Sequence, residues 1–223
     1  MSSDAPAAVA AAVPPTVPGR AALVRRGLRL NYLTIGYNAV EAVVSLAAGL
    51  AAGSIALVGF GIDSVIEVTA AGAAQWRLRA DAHVARRARA ERLTQRAVGA
   101  SFLALAVWVA YEAAEALWMR EAPERSALGL AVLALSVVVM PLLARAKRSV
   151  AGALASGALA AEATQTALCA YLSAIALAGV GLNALFGWWW ADPVAALAMT
   201  PIIAKEGVEG VRGRVSCGEC GCD

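Results

Sequence analysis

Charge is scarce in this chain of 223 residues: Asp, Glu, Lys and Arg make up 16%, against 60% hydrophobic residues. A soluble domain carries about a quarter charged residues, so the composition excludes one. The charges also cluster between apolar blocks rather than recurring at helical period, and the mean hydropathy is +0.66. Histidine is nearly missing. The single one, His83, lies in a basic stretch and reads as solvated, so no apolar segment offers an imidazole ligand. Of four cysteines, Cys169 stands alone in an apolar run and Cys217, Cys220 and Cys222 fall in the last seven residues. That distribution, with a tail expected on the cytoplasmic side, excludes a disulfide framework. Residues 1–19 have no basic n-region, and Pro6, Pro14, Pro15 and Pro18 interrupt any apolar core. This excludes a cleaved signal and predicts a disordered leader. The net charge of +3 says little about partners, because placement relative to a membrane matters more than the sum.

What is present is a succession of apolar blocks long enough to cross a bilayer. The pattern predicts an all-α integral membrane protein with six transmembrane helices over 30–52, 54–76, 97–119, 127–143, 153–180 and 192–210. The domain layout is a leader over 1–22, a transport domain over 23–210 and a Cys-rich tail over 211–223. Pro141 and Pro201 are expected to bend or end their helices. Basic residues set the orientation. Arg20, Arg25, Arg26 and Arg29 precede the first span, seven arginines from Arg77 to Arg96 follow the second, Arg145, Lys147 and Arg148 follow the fourth, and Lys205, Arg212 and Arg214 follow the last. Only Arg120 and Arg125 fall on the other side, so both termini are expected in the cytoplasm. Trp118 and Trp188–Trp190 then mark the outer interface. A multi-pass protein of a prokaryotic plasma membrane is the expected setting. The arginine-rich stretch is expected to meet anionic lipid of the bilayer and not nucleic acid.

The second block holds the polar feature that needs explaining. Asp63 and Glu67 lie inside the otherwise apolar 51–74. Acids at such a depth are costly and are functional candidates by default. At i and i+4 they leave one helical face and offer hard oxygen ligands to a cation. In the fifth block Glu162, Gln165 and Cys169 share a face. The two blocks are also alike in register. Ser54-Ile-Ala-Leu57 precedes Asp63 by nine residues and Glu67 by thirteen, and Ser156-Gly-Ala-Leu159 precedes Gln165 and Cys169 by the same intervals. The blocks run in opposite directions, and at 1.5 Å per residue the polar pairs lie about 14–20 Å from their starting surfaces, near the middle of a core about 30 Å thick. Midplane sites between inverted repeats are a transporter arrangement.

With these residues in view, the chain resembles the cation diffusion facilitator family from Asn31 to about Gly210. Gly53-Ser54-Ile-Ala-Leu57 followed by Asp63-xxx-Glu67 is similar to its second-helix motif with two acidic metal ligands. The stretch from Ser156 to Cys169 resembles its fifth-helix motif, and Trp190-Ala-Asp192-Pro193 the start of its sixth helix. The resemblance implies a homodimeric exporter of divalent transition metals driven by inward protons. It implies Asp63, Glu67, Gln165 and Cys169 as metal ligands. Two departures stand out. The fifth helix usually carries His or Asp and then Asp where this chain has Gln165 and Cys169, so Glu162 is a candidate to replace the lost acid. The family also usually has a folded cytoplasmic domain after the sixth helix, where this sequence has the short tail.

A mixed oxygen and sulfur ligand set suits zinc or cadmium better than magnesium or calcium; manganese, iron and cobalt stay open. The two acids titrate as a coupled pair that can lose a proton when metal binds, which is the physical basis for exchange. The metal is cargo, and no permanently bound cofactor or catalytic constellation is expected: the protein is a carrier and not an enzyme. Asn38, Glu41 and Ser45 share a face of the first span and could support the ligands or act as accessory ones. Glu112 and Glu115 could line an exit funnel or satisfy interhelical hydrogen bonds. Asp192 reads as the N-cap of its own helix with Pro193 at the first helical position, a role Asn would also fill. The CxxCxC spacing of Cys217, Cys220 and Cys222 suits a soft metal. Two other functions stay open: a membrane protein that binds metal without moving it, and a carrier of an organic cation.

Overall fold

The computed structural model describes residues 20–79, 84–121, 123–154 and 157–212. The leader before Arg20, Ala82, His83, Ser156 and the cysteines Cys217, Cys220 and Cys222 lie outside the described residues. Those described form six α-helices: α1 Arg20–Ala52, α2 Ile55–Arg79, α3 Val84–Met119, α4 Ala127–Leu154, α5 Gly157–Phe186 and α6 Ala191–Arg212. Several run past the apolar blocks into charged stretches. α1 starts ten residues before the expected span, α3 thirteen before and α4 ends eleven after, because Ala, Arg and Glu sustain a helix as well as Leu does. Neither proline ends its helix; Pro141 lies inside α4 and Pro201 inside α6.

Among the described residues, five helices are long and apolar enough to cross a membrane, over Ala22–Ala52, Ile55–Gly72, Arg96–Met119, Ala127–Leu154 and Glu162–Phe186. α6 does not meet that measure, since Lys205, Glu206, Glu209 and Arg212 fall within its 22 residues. The outward face carries large apolar side chains, among them Val40, Val43, Leu50, Val107 and Leu185. The contact faces are rich in alanine: Ala56, Ala106, Ala113, Ala176 and Ala196 are buried around Leu57, Phe60, Leu133, Met140 and Met199. Small residues let helices approach where no hydrophobic gradient draws them together.

Three pairings dominate the packing: α1 with α2, α4 with α5, and α3 with α6. The first is a hairpin whose turn follows from one residue. Gly53 has φ 64°, a left-handed conformation glycine adopts without strain. It lets the Ser54 N–H reach back to the Gly49 carbonyl at 3.0 Å, which closes the helix end. Arg120 does the same for α3 at φ 57°, with the Glu121 N–H on the Ala116 carbonyl. The α3–α6 seam depends on close backbone approach. A Cβ on Gly99 would lie 2.4 Å from the Val211 nitrogen and 2.7 Å from the Gly207 oxygen, so only glycine fits.

The turn between α1 and α2 is tied to α6. Asp192 does not cap its own helix, where the Trp190 carbonyl takes the Val194 N–H. Its carboxylate instead accepts the Ser54 hydroxyl at 2.5 Å and the N–H groups of Ile55 at 2.9 Å and Ala56 at 3.4 Å. Those are the orphan donors at the start of α2, and an acid suits the positive end of that helix. Beside this latch the rings of Phe186, Trp188 and Trp190 stack in series, with centroids 5.4 and 5.2 Å apart.

Candidate metal site

α2 contributes two buried acids. Asp63 is 3% exposed and Glu67 6%, one turn apart on the face that meets α5. From α5, Gln165 and Cys169 are likewise one turn apart. All four line a single small cavity together with Phe102 of α3, Leu168 and Leu172 of α5, and Ile202, Ile203 and Glu206 of α6. Its free volume is about 10 Å³, room for one water-sized body. Among the described residues, no three His, Cys, Asp or Glu side chains stand close enough together to hold an ion.

The acids are held from α1. Asn38 donates its amide N–H to Glu67 Oε2 at 2.6 Å. Glu41, 1% exposed, accepts the Ser64 hydroxyl of α2 at 3.0 Å and the Ser136 hydroxyl of α4. The Cys169 sulfur lies 3.9 Å from Glu41 Oε2. Asn38 and Glu41 thus bind the polar faces of α1, α2, α4 and α5 into one network. Ser45 is fully buried, with no partner for its hydroxyl. Glu162 is turned elsewhere: its carboxylate meets the Lys147 ammonium of α4 at 3.5 Å, and it does not line the cavity.

Sequence reasoning missed two of these participants. Glu206 reads as one of several charges at a helix end, yet it faces the acids of α2. Lys147 reads as an orientation signal between spans, yet it lies within α4 and is 2% exposed. A helical wheel of 127–154 would have put Lys147 in line with Ser136, Met140 and Ala144, the residues that are buried there.

A second cavity, of about 750 Å³, opens at the end of the bundle where α1 turns into α2. Glu112, Glu115 and Trp108 of α3 line it with Glu121 and Pro123, and Ser54, Ile55 and Asp192 of the latch face it too. Between this vestibule and Asp63, Leu57 and Phe60 are fully buried and close the way along α2. Glu112 and Glu115 stand on the wall of this cavity.

Residues 32–216, most of the chain, match the cation efflux transmembrane domain. No curated protein matches.

Proposed function

The chain belongs to the cation efflux family, and on that premise we propose that it exports divalent transition-metal cations, zinc or cadmium foremost, from the cytoplasm in exchange for protons. In this reading Asp63, Glu67, Gln165 and Cys169 take the ion, both termini face the cytoplasm, α6 makes a sixth crossing, and a second copy completes a homodimer. The observation that carries it is the cavity in which the i, i+4 pair of α2 meets the i, i+4 pair of α5. Two carboxylates balance a doubly charged ion, an amide oxygen adds a neutral ligand and the thiol adds softness, the property that separates zinc and cadmium from magnesium.

The acids exchange cargo. Binding a divalent ion displaces protons from the ligands, and releasing it leaves the carboxylates to be reprotonated from the side of higher proton activity. Glu41 and Asn38 hold Glu67 and Cys169 in register between loads. The donors close on the ion when it arrives. The vestibule past Leu57 and Phe60 is the way out, and Glu112 and Glu115 at its wall draw the cation along. The tail thiols of Cys217, Cys220 and Cys222 collect soft metal on the cytoplasmic side without being needed for the crossing.

Purified protein in vesicles with a zinc dye and a pH dye inside tests this. Zinc uptake coupled to proton movement is expected. Zinc binding without flux would favour a protein that senses metal, and neither binding nor flux would favour an organic cation as cargo.

A further inference from the structure

The small cavity between α2 and α5 has a third side. Asp63 and Glu67 face it from α2, while α5 brings Gln165 and Cys169, neither of them a carboxylate. Glu162, the acid on the same face of α5, is turned to Lys147 at 3.5 Å. The further acid comes from α6. Of the three residues that α6 places in the wall, Ile202 and Ile203 are apolar and Glu206 is a carboxylate. Among the described residues, the wall thus holds three acids and no Lys, Arg or His.

The acids of α2 are not provided for alike. Glu67 accepts the Asn38 amide at 2.6 Å. Asp63 is 3% exposed and accepts no hydrogen bond among the described residues. Burying an acid with neither donor nor cation is costly, and this one opens on the cavity that Glu206 shares. Glu206 has no ion-pair partner among the described residues either. Its neighbour Lys205 meets Glu209 at 3.9 Å, with the lysine side chain 70% exposed. Structural pairing therefore does not account for Glu206. Unlike Asp63 it is only half-buried, and α6 ends six residues later at Arg212, about 9 Å along the axis. In the orientation proposed above, that end faces the cytoplasm.

We propose that Glu206 is a further ligand of the cargo, the carboxylate that meets a divalent cation at the cytoplasmic rim and closes on it with Asp63 and Glu67. This rests on reading Asp63 and Glu67 as the ion site. Glu206 replaces the first waters of an arriving ion where solvent still reaches, and passes it to two acids that solvent does not reach. Without an ion, no three of the donors stand close enough to hold one; the bound ion draws Glu206 inward.

The full-length chain in detergent, with Cys217, Cys220 and Cys222 replaced by Ser, is titrated with zinc chloride, and thermal unfolding is followed without metal. Glu206→Gln is expected to bind zinc on the order of ten- to a hundredfold more weakly, the scale of one charge contact between screened and half-screened limits. Its unfolding midpoint should stay at that of the parent. Glu209→Gln, one turn further and outside the cavity wall, removes the same charge and should bind within about twofold of the parent. Equal losses at the two positions would mark a general surface potential and overturn the inference, as would parental affinity in Glu206→Gln. Contact is read separately with cadmium chloride. Glu206→Cys is expected to add a thiolate-to-cadmium charge-transfer band in the ultraviolet, since a thiolate placed at a ligand position takes a soft ion. Glu209→Cys should add none. Should Glu206→Gln fail to fold, this band decides alone, and its absence overturns the proposal. A parent that binds no zinc overturns the ion site and this inference with it. A parent that binds, and loses binding with Asp63→Ala but not with Glu206→Gln, overturns the role of Glu206 alone.

Discussion

Asp63 is one of the few carboxylates that line the cavity, with Glu67 and Glu206. Gln165 is neutral, and Cys169 must lose a proton before it carries charge. Removing one partner of a buried charged arrangement costs about 3–5 kcal/mol, or on the order of a hundred- to thousandfold in affinity. Asp63→Ala is therefore expected to abolish zinc flux and the accompanying proton release in vesicles while the protein still inserts, and parental flux would place the ion elsewhere. Asp192 illustrates a different dependence. As a cap of its own helix it would tolerate Asn, but its carboxylate serves three donors of the α2 start. The amide of Asp192→Asn keeps one acceptor oxygen and turns an N–H toward other N–H groups. A loss of about 1–3 kcal/mol is expected, read as a lower unfolding midpoint in detergent; an unchanged midpoint would show that the latch contributes nothing. At this scale the sequence was informative where polarity contradicted its surroundings. Asp63, Glu67, Gln165 and Cys169 stand out in apolar runs at one-turn spacing, and the cavity they line joins all four. Glu206 and Lys147 did not stand out, because each is a charge among charges near a helix end, and for Lys147 the direction shows only once α4 is carried past its apolar block. The partner of Asp192 lies 138 positions away along the chain, beyond any local pattern.

Helices were legible as apolar blocks, and their ends were not, since the residues beyond each block are good helix formers. The pairing of α3 with α6 was also hidden, because it rests on glycines that look alike in a sequence containing 20 of them. Their environments differ. Gly99 faces the backbone of α6, whereas a Cβ on Gly72 of α2 would meet nothing within 4 Å. Gly99→Leu is expected to lower the unfolding midpoint strongly, by the overpacking cost of about 1–3 kcal/mol or more, because the obstruction is main chain and cannot swing aside. Gly72→Leu serves as the control and should leave the midpoint within about 0.5 kcal/mol of the parent, the usual range for a surface site. Equal effects at the two positions would mean that the α3–α6 seam is looser than its backbone separation implies.

For the whole molecule, the proposed orientation rests on the basic residues, and its test is direct. Arg125 and Gly152 are both exposed, at opposite ends of α4. In a background without native cysteines, Arg125→Cys is expected to react with an impermeant thiol reagent from outside and Gly152→Cys only after the membrane is opened; the reverse pattern would invert the direction of transport proposed above. The aromatic stack of Phe186, Trp188 and Trp190 adds an optical consequence. Its last ring belongs to the residue two before Asp192, so a shift of the first turn of α6 against the end of α5 would change the overlap of two stacked indoles. Indole emission is sensitive to such overlap and to water. The protein therefore carries its own fluorophore next to the first turn of α6, and a zinc pulse that shifts that turn would be visible as a change of emission in a single cuvette, without any label attached.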